Sequence, residues 1–139
     1  MTSLIPPDGY QPHTRRSPLT DPWEPLFARP VLGGVQLAVQ VREAHCNSRG
    51  FAHGGLIAAL ADNAMGLSAV TTARQTRPEQ SGAVTVGLTL DFIDSAQQGE
   101  WLEIHPQVLK CGGTLAFVEC RVLCGPRIVA RGSASFRLL

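Results

Sequence analysis

Apolar and polar residues alternate along five stretches of the chain, a pattern typical of strands that bury one face. The first stretch runs from Val35 to Val41. The other four follow one another after residue 83, so we expect consecutive strands joined by short turns in an antiparallel sheet. Pro106 interrupts the alternation of one of them, which indicates an edge position or a bulge. Their ranges are 84–92, 101–110, 116–124 and 128–138.

A segment that is apolar on every side predicts one long helix, from Gly54 to Arg74. Asp62 is its only charge before Arg74. A helix without a polar face must be covered all round, so the sheet has to curl about it. A further surface, for which we expect a second copy of the chain, has to cover the remaining side. One strand, a long helix and four antiparallel strands make an α+β domain.

Residues 1–30 lie outside this pattern and are predicted to form an N-terminal arm, with residues 31–139 as the folded domain. Prolines spaced among polar residues make the first 19 residues a loose arm. Thr20 or Asp21 can cap a short helix that has Pro22 at its first position and continues to Ala28. The apolar residues of this helix are expected to cover one end of the core.

Composition argues against several classes of partner. The 139 residues carry a net charge of +1, which provides no basic surface for nucleic acid or for an anionic membrane. No run of apolar residues reaches the ~18 that a membrane-spanning helix needs. Residues 1–16 lack the apolar block of a secretory signal. We therefore expect a single domain that binds neither nucleic acid nor membrane.

The four cysteines indicate neither a metal site nor a disulfide. None belongs to a CxxC pair. Cys120 and Cys124 are four apart in a predicted strand, hence ~13 Å from one another, too far for a disulfide. Cys46 precedes the helix, but no paired base or helix N-terminus is evident that would form its thiolate. We expect no metal, no cofactor and a reducing cytoplasmic location.

The candidate chemistry lies where a His-Gly-Gly turn opens the predicted helix. Backbone N–H groups at a helix start are free donors at the positive end of the helix dipole, so the Gly55 N–H can stabilise an oxyanion. Glycine at 54 and 55 lets a ligand approach the backbone closely. Asp62 is a carboxylate in an apolar helix, a costly placement unless it works in a dry cleft. The alternative is a narrow wet stripe that it shares with Asn63.

Helix geometry separates these two groups. Gly55 and Asp62 are seven residues apart, so they lie on nearly the same face, ~10.5 Å apart along the axis. One helix cannot readily bring both to a single carbonyl. Two helices packed antiparallel about a two-fold axis can set Gly55 of one chain against Asp62 of the partner subunit. The spacing therefore predicts a homodimer with shared active sites.

These residues resemble the motif of hotdog-fold acyl-CoA thioesterases, in the subfamily typified by phenylacetate-degradation thioesterases. The likeness rests on Asn47, His53-Gly54-Gly55 and Ala61-Asp62 at the family's spacing, and it extends from residue 33 to the end. It implies one long central helix wrapped by a curled antiparallel sheet of five to six strands. It also implies a dimer with two shared sites, often paired into a homotetramer.

The resemblance implies a role for each site residue. Asp62 matches the catalytic carboxylate, acting as nucleophile or as general base for water, and the Gly55 N–H matches the group that polarises the thioester carbonyl. Asn47 matches a residue that holds the water or the thioester. Thr85 aligns with a serine that positions the water, and His53 with the motif histidine, whose role is mainly to organise the loop. Further substrate contacts are predicted at Gly54, Met65, Gly112, Gly113 and Thr114.

Three of these residues also have purely structural interpretations. Asn47 can close the loop through its side chain. In the alternating pattern Thr85 falls on the strand face opposite the apolar one, where an ordinary exposed threonine would lie. His53 can act as a structural hydrogen-bonding residue.

The chain departs from the family pattern at two places. Gly112-Gly113-Thr114 stands where relatives often carry Gly-Lys-Thr, and Asp94-Ser95 replaces a common Arg-Pro. A basic contact to the coenzyme is therefore missing at the first turn. The remaining candidates for the coenzyme A phosphates are Arg74, Arg77, Lys110 and Arg127.

The expected activity is hydrolysis of a medium-chain or aryl acyl-CoA to the free acid and coenzyme A. A thiolate leaves readily, so a carboxylate suffices and no Ser-His-Asp triad is needed. The alternative is a non-catalytic acyl-CoA-binding domain that senses its ligand, which would tolerate an inert residue in place of Asp62. A hydratase of the same fold is disfavoured, because its Asp-x-Asn-x-x-His pattern is missing.

Overall fold

One long helix lies against one antiparallel sheet of seven strands in the computed structural model, which describes residues 4–139. The strand order in the sheet is β1-β2-β3-β5-β6-β7-β4. The helix α1 spans Gly54–Thr76, and short 3-10 helices span Asp21–Trp23 and Glu43–His45. The strands are β1 Gln11–Pro12, β2 Phe27–Val31, β3 Gly34–Gln40, β4 Ala83–Phe92, β5 Trp101–Cys111, β6 Leu115–Cys124 and β7 Arg127–Leu138. This is the α+β arrangement that the sequence predicts.

Helix α1 forms the centre of the core, as its all-round apolar pattern predicts. Its buried residues pack against the inner faces of β3, β5, β6 and β7. By length and composition it could cross a membrane, but 56% of its most apolar stretch is buried inside the fold. Such burial is typical of a helix that packs in a protein core. Ala61, Ala64, Met65 and Ala69 are fully buried.

The sheet is larger than the predicted five to six strands, because part of the N-terminal arm joins it. Strand β2 forms a hairpin with β3, and Gly33 closes the two-residue turn with a φ of +81°. Strand β1 then pairs with the outer edge of β2. The division of the chain into an arm at 1–30 and a domain at 31–139 therefore does not describe the sheet, whose first two strands begin in the arm.

The predicted helix from residue 20 to Ala28 is also wrong beyond its first turn. Only Asp21–Trp23 is helical, with Pro22 inside that turn and no side-chain cap from Thr20. From Phe27 onward the chain is strand. Pairing with β3 satisfies the backbone of this segment and buries Phe27, and this outweighs the local helix signals.

Pro106 lies in an interior strand at a position where one neighbour has ended. Strand β5 lies between β3 and β6, but its pairing with β3 stops at Ile104. A bulge follows between Val108 and Lys110 in the pairing with β6. Proline has no backbone N–H to donate, and beyond Ile104 no β3 partner would receive one.

Strand β4 is the edge of the sheet, and its apolar inner face is incompletely covered. It pairs with β7 on one side and with no other described strand. Leu88 is 40% exposed, Phe92 54% and the following Ile93 57%. Edge strands that leave apolar side chains open are ready sites for pairing with another chain.

Candidate active site

The loop before α1 is closed by Asn47. Its side-chain Oδ1 accepts hydrogen bonds from the backbone N–H of Arg49 at 2.9 Å and of Phe51 at 3.2 Å. Gly50 adopts a left-handed φ of +83° within this turn. These contacts agree with a structural role in which the Asn47 side chain closes the loop. They fix the path of the chain into the helix.

His53 caps the first turn of α1. Its Nδ1 accepts a hydrogen bond from the Gly55 N–H at 2.8 Å. In this arrangement the N–H predicted to polarise a carbonyl already has a partner. A ligand oxygen can accept a hydrogen bond from this N–H without competition only when the imidazole of His53 moves away. This contact gives His53 a loop-organising role.

A second anchor of the loop is the buried His45. Its Nδ1 accepts from the Arg42 N–H at 3.0 Å, and its Nε2 lies 2.9 Å from the Trp23 carbonyl oxygen, to which it can donate. Burial lowers the pKa of His45, which favours the neutral ring that both contacts require. The backbone of His45 then accepts from the His53 N–H at 2.8 Å.

Asp62 lies two turns along α1 and is half-buried. The Thr85 hydroxyl donates to its Oδ1 at 2.7 Å. No described residue donates to Oδ2, and no described cation pairs with this carboxylate. The carboxylate therefore has one oxygen held in place and one available to a ligand or to water.

A bulge in β4 aims Thr85 at the helix. The pairing of β4 with β7 shifts between Thr85 and Gly87, which leaves Val86 as an extra residue. Thr85 pairs with Phe136, whose ring is buried in the core, whereas Val84 pairs with the exposed Arg137. The expectation that Thr85 lies away from the apolar face is thus wrong. Unbroken alternation would place it there, and the bulge reverses the faces.

Asp62 and Thr85 open into a pocket of about 300 Å³. Its apolar wall includes Leu67, Val70 and Phe136. The other wall comes from the N-terminal arm, which no motif of the sequence connects with the site. The only signal there is an adjacent pair of arginines in a proline-rich segment. The arm residues that line the pocket are His13, Arg15, Arg16 and Ser17.

Several predicted substrate contacts lie elsewhere in the single chain. Met65 is fully buried in the core and does not line the Asp62 pocket. Gly112, Gly113 and Thr114 form the turn between β5 and β6, where the Gly112 carbonyl accepts from Arg77 at 2.7 Å. Gly54 lies beneath the ring of Phe92. The structure thus brings Asp62 to Thr85 and holds Asn47, His53 and Gly55 as a separate group.

The arginines suggested for the coenzyme phosphates already have partners within the fold. Arg74 donates to the carbonyl oxygens of Gln80 and Ser81, and Arg77 to that of Gly112. Arg127 pairs with Asp94 and Glu100 at 3.1 and 3.0 Å. Among the candidates, Lys110 has no such contact to a described residue.

Metal and thiol chemistry have little support in the described residues. No group of three or more His, Cys, Asp or Glu side chains there could hold a metal ion. The four cysteines in that part of the chain are free thiols. Burial raises the pKa of Cys46, and it raises those of Cys120 and Cys124 to about 11. The thiolate is thus disfavoured at Cys46, Cys120 and Cys124.

Comparisons with known proteins agree with this architecture. Residues 49–130 match the family described as the Thioesterase superfamily. The protein of Pseudomonas aeruginosa named "Putative esterase PA0474" is 41% identical over 133 residues, which cover 95% of this chain and 96% of that protein. Human acyl-coenzyme A thioesterase 13 is 36% identical over 87 residues, covering 63% of this chain and 59% of that protein.

A solved structure extends the likeness to the whole fold. A mutant of the phenylacetic acid degradation protein PaaI from Thermus thermophilus superposes with a TM-score of 0.75 at 23% identity, covering 87% of this chain and 98% of that one. The central helix, the wrapped sheet and the phenylacetate-type relatives are those that the sequence motif implies.

Proposed function

The chain belongs to the thioesterase superfamily, and on this premise we propose that it hydrolyses acyl-CoA thioesters to the free acid and coenzyme A. One observation carries the proposal. The carboxylate of Asp62 lies at the mouth of a pocket, with Oδ1 held by Thr85 at 2.7 Å and Oδ2 open. The name of acyl-coenzyme A thioesterase 13 supports the same substrate class. A medium-chain or aryl acyl group is compatible with the size of the pocket.

In the proposed reaction Asp62 acts as general base. Oδ2 accepts a proton from water while the water oxygen bonds to the thioester carbonyl carbon. The carbonyl oxygen becomes an oxyanion, and on collapse of the adduct the C–S bond breaks. The thiolate of coenzyme A leaves with the electron pair and takes the proton from Asp62, which restores the carboxylate. The Thr85 hydroxyl holds Asp62 in position during these steps.

The oxyanion donor in this proposal is the Gly55 N–H of a second copy of the chain. Gly55 and Asp62 of one chain are separated by ~10.5 Å of helix, so they cannot both meet one carbonyl. The unpaired edge of β4 and the exposed Leu88 and Phe92 support a partner copy on this side. The ring of Phe92 also lies over the start of α1 at Gly54, so that surface adjoins the donor.

The test is thiol release from a panel of acyl-CoAs by the wild type and by Asp62→Asn. Asn is nearly the same size as Asp but cannot accept the proton, so we expect kcat to fall by ~10²–10⁴-fold with the fold intact. Asp91→Asn is the matched control, because Asp91 lies on the outer face and pairs with Arg131. Retention of more than about a tenth of the wild-type rate by Asp62→Asn would exclude the acid–base role. The non-catalytic acyl-CoA-binding domain becomes the better description if the wild type binds the acyl-CoAs of the panel and releases thiol from none of them.

A further inference from the structure

The arm that lines the Asp62 pocket is anchored upstream by Tyr10. The Tyr10 hydroxyl donates to Glu103 at 2.8 Å, and the guanidinium of Arg29 lies 4.4 Å from the centre of its ring. Tyr10 is buried with Phe27 on the outer face of the sheet. Strand β1 then pairs with β2, and the His13 N–H donates to the Leu26 carbonyl oxygen at 2.9 Å. The chain therefore enters the pocket from a fixed point.

A compact turn anchors the arm downstream of the pocket. The hydroxyls of Ser17 and Thr20 are 3.0 Å apart, and the Asp21 N–H donates to the Ser17 carbonyl at 2.9 Å. Thr20 is 1% exposed. Residues 13–17 are thus held at both ends against α1, which makes them a built wall of the pocket.

This wall carries two positive charges. Arg16 pairs through Nε with Asp21 at 3.1 Å, and its two terminal nitrogens contact no described acceptor. Arg15 makes no side-chain hydrogen bond or ion pair with a described residue. Burial lowers the pKa of His13, which leaves it neutral near pH 7. Among the described residues that line the pocket, only Asp62 is acidic.

Four apolar side chains belong to the remaining lining, so the pocket suits an acyl group that is apolar near the thioester and anionic at its far end. They are Leu67, Val70, Ala83 and Phe136, and the polar Ser17, Asn63 and Thr85 line the pocket beside them. A guanidinium binds a carboxylate through charge-assisted hydrogen bonds. The phosphates of coenzyme A lie a whole pantetheine chain from the sulfur. With the thioester at Asp62, these phosphates are therefore poorer candidates than the acyl end for contact with arginines that line the same pocket.

We propose that Arg15 and Arg16 select acyl groups that end in a carboxylate, the ω-carboxyacyl thioesters. The inference rests on the proposed hydrolysis at Asp62 and adds the substrate class. The arginines act on specificity: they bind the remote carboxylate and take no part in the bond changes at the thioester.

The experiment compares substrates of equal chain length with and without the terminal carboxylate. Adipyl-CoA is paired with hexanoyl-CoA, and suberyl-CoA with octanoyl-CoA, for the wild type and for the Arg15→Gln/Arg16→Gln double variant. The wild type should have the higher kcat/KM for the carboxylated member of each pair. The double variant should lose about tenfold or more on that member, the effect of one charge-assisted hydrogen bond. Its kcat/KM for the neutral member should stay within about twofold.

The control is Arg121→Gln/Arg137→Gln, which removes the same charge from exposed positions on the outer face of the sheet. It should leave both kcat/KM values unchanged. An unaltered preference in the arm variant overturns the inference, as does a wild type that favours the neutral member. An equal loss on both members also overturns it, because the arginines would then bind the coenzyme phosphates.

The outcome is separable from that of the proposed function. If neutral acyl-CoAs are hydrolysed as well as carboxylated ones, the inferred selectivity is wrong and the proposed thioesterase activity stands. If neither member of any pair is hydrolysed, the thioesterase proposal fails. Calorimetric titration of adipyl-CoA and hexanoyl-CoA into the wild type and the arm variant then decides the selectivity. Equal affinities in the wild type would refute it.

Discussion

At the scale of single residues, the site depends on one hydrogen bond between a hydroxyl and a carboxylate. The Thr85 hydroxyl donates to Asp62 at 2.7 Å. This bond directs the acceptor lone pairs of the carboxylate and leaves Oδ2 open to the pocket. A hydrogen bond to a charged group contributes roughly 1.5–3 kcal/mol, enough to affect turnover without deciding whether the domain folds.

Replacing Thr85 should therefore separate positioning from binding. Thr85→Val keeps the shape and removes the donor, so we expect kcat to fall about five- to tenfold, less than full loss of a charge-assisted bond, with KM little changed. Thr85→Ser keeps a hydroxyl and should retain most of the rate. Steady-state thiol release measures both constants. An unchanged kcat in Thr85→Val would make Thr85 an ordinary strand residue.

At the scale of elements, the start of α1 serves both as a capped helix end and as the proposed oxyanion donor. The His53 ring occupies the Gly55 N–H, and a Cβ added at Gly55 would come within 3.0 Å of its Nδ1. The ring thus stabilises the start of the helix at the place where the proposed reaction puts the substrate carbonyl. In that reaction the substrate and His53 would compete for one donor.

Changes at His53 should affect stability more than catalysis. His53→Ala removes the cap, so we expect the free energy of unfolding to fall by about 1 kcal/mol. His53→Asn should restore most of it, because asparagine is a good N-cap. With the ring gone, the Gly55 N–H is open, and kcat should change less than the ~10² of an acid–base group. A folded pair of variants that both lost that much activity would make His53 a participant in the chemistry.

The elements also show how far the sequence determines this structure. The period of the apolar residues predicts α1 and five of the seven strands, because burial against one core sets that period. It does not predict β2, whose strand state comes from pairing with β3. Nor does it predict the bulge at Val86, since the alternation of apolar residues from Val84 to Phe92 continues through it without a break. The His-Gly-Gly turn and Asp62 are visible in the sequence, but the contact of Thr85 and the arginines of the arm depend on tertiary packing.

At the scale of the whole molecule, the proposed reaction divides its groups in each chain between two separate places, and in a two-fold dimer the same partner copy would complete both. Asp62 and Thr85 open beside the arm, and Gly55 lies at the other end of two helical turns, under Phe92. The open inner face of β4 lies between them. A single chain is incomplete for the proposed reaction, and the proposed two-fold dimer would supply what each copy lacks.

Complementation tests this architecture. Chains with Asp62→Asn are mixed with chains with Gly55→Pro, which lack the donor N–H, and the subunits are allowed to exchange. In a mixed dimer one cleft receives an intact Asp62 and an intact Gly55, while the other receives neither. An equal mixture should therefore recover about a quarter of the wild-type rate, since half the dimers are mixed and each has one good site.

The control for this experiment is Gly55→Ala, which keeps the N–H while crowding His53. It should remain more active than Gly55→Pro. Mass spectrometry of tagged chains shows whether exchange has taken place. If exchanged mixtures are as inactive as either parent, both halves of the site come from one chain.

The bulge at Val86 also matters for how such a site can be inherited. A strand alternates its faces residue by residue, so pairing of the unchanged β4 sequence with β7 without the bulge would set Val86 opposite Phe136 and turn Thr85 outward. The active-site carboxylate would be untouched, yet its hydrogen-bonding partner would be a hydrocarbon. A descendant could thus keep every letter of the His-Gly-Gly and Asp62 motif and still lose the hydroxyl. In gene comparisons, a relative that lacks the residue at Val86 would keep the position of Thr85 opposite Phe136 without any bulge, so the length between Thr85 and Gly87 is as informative as the motif itself.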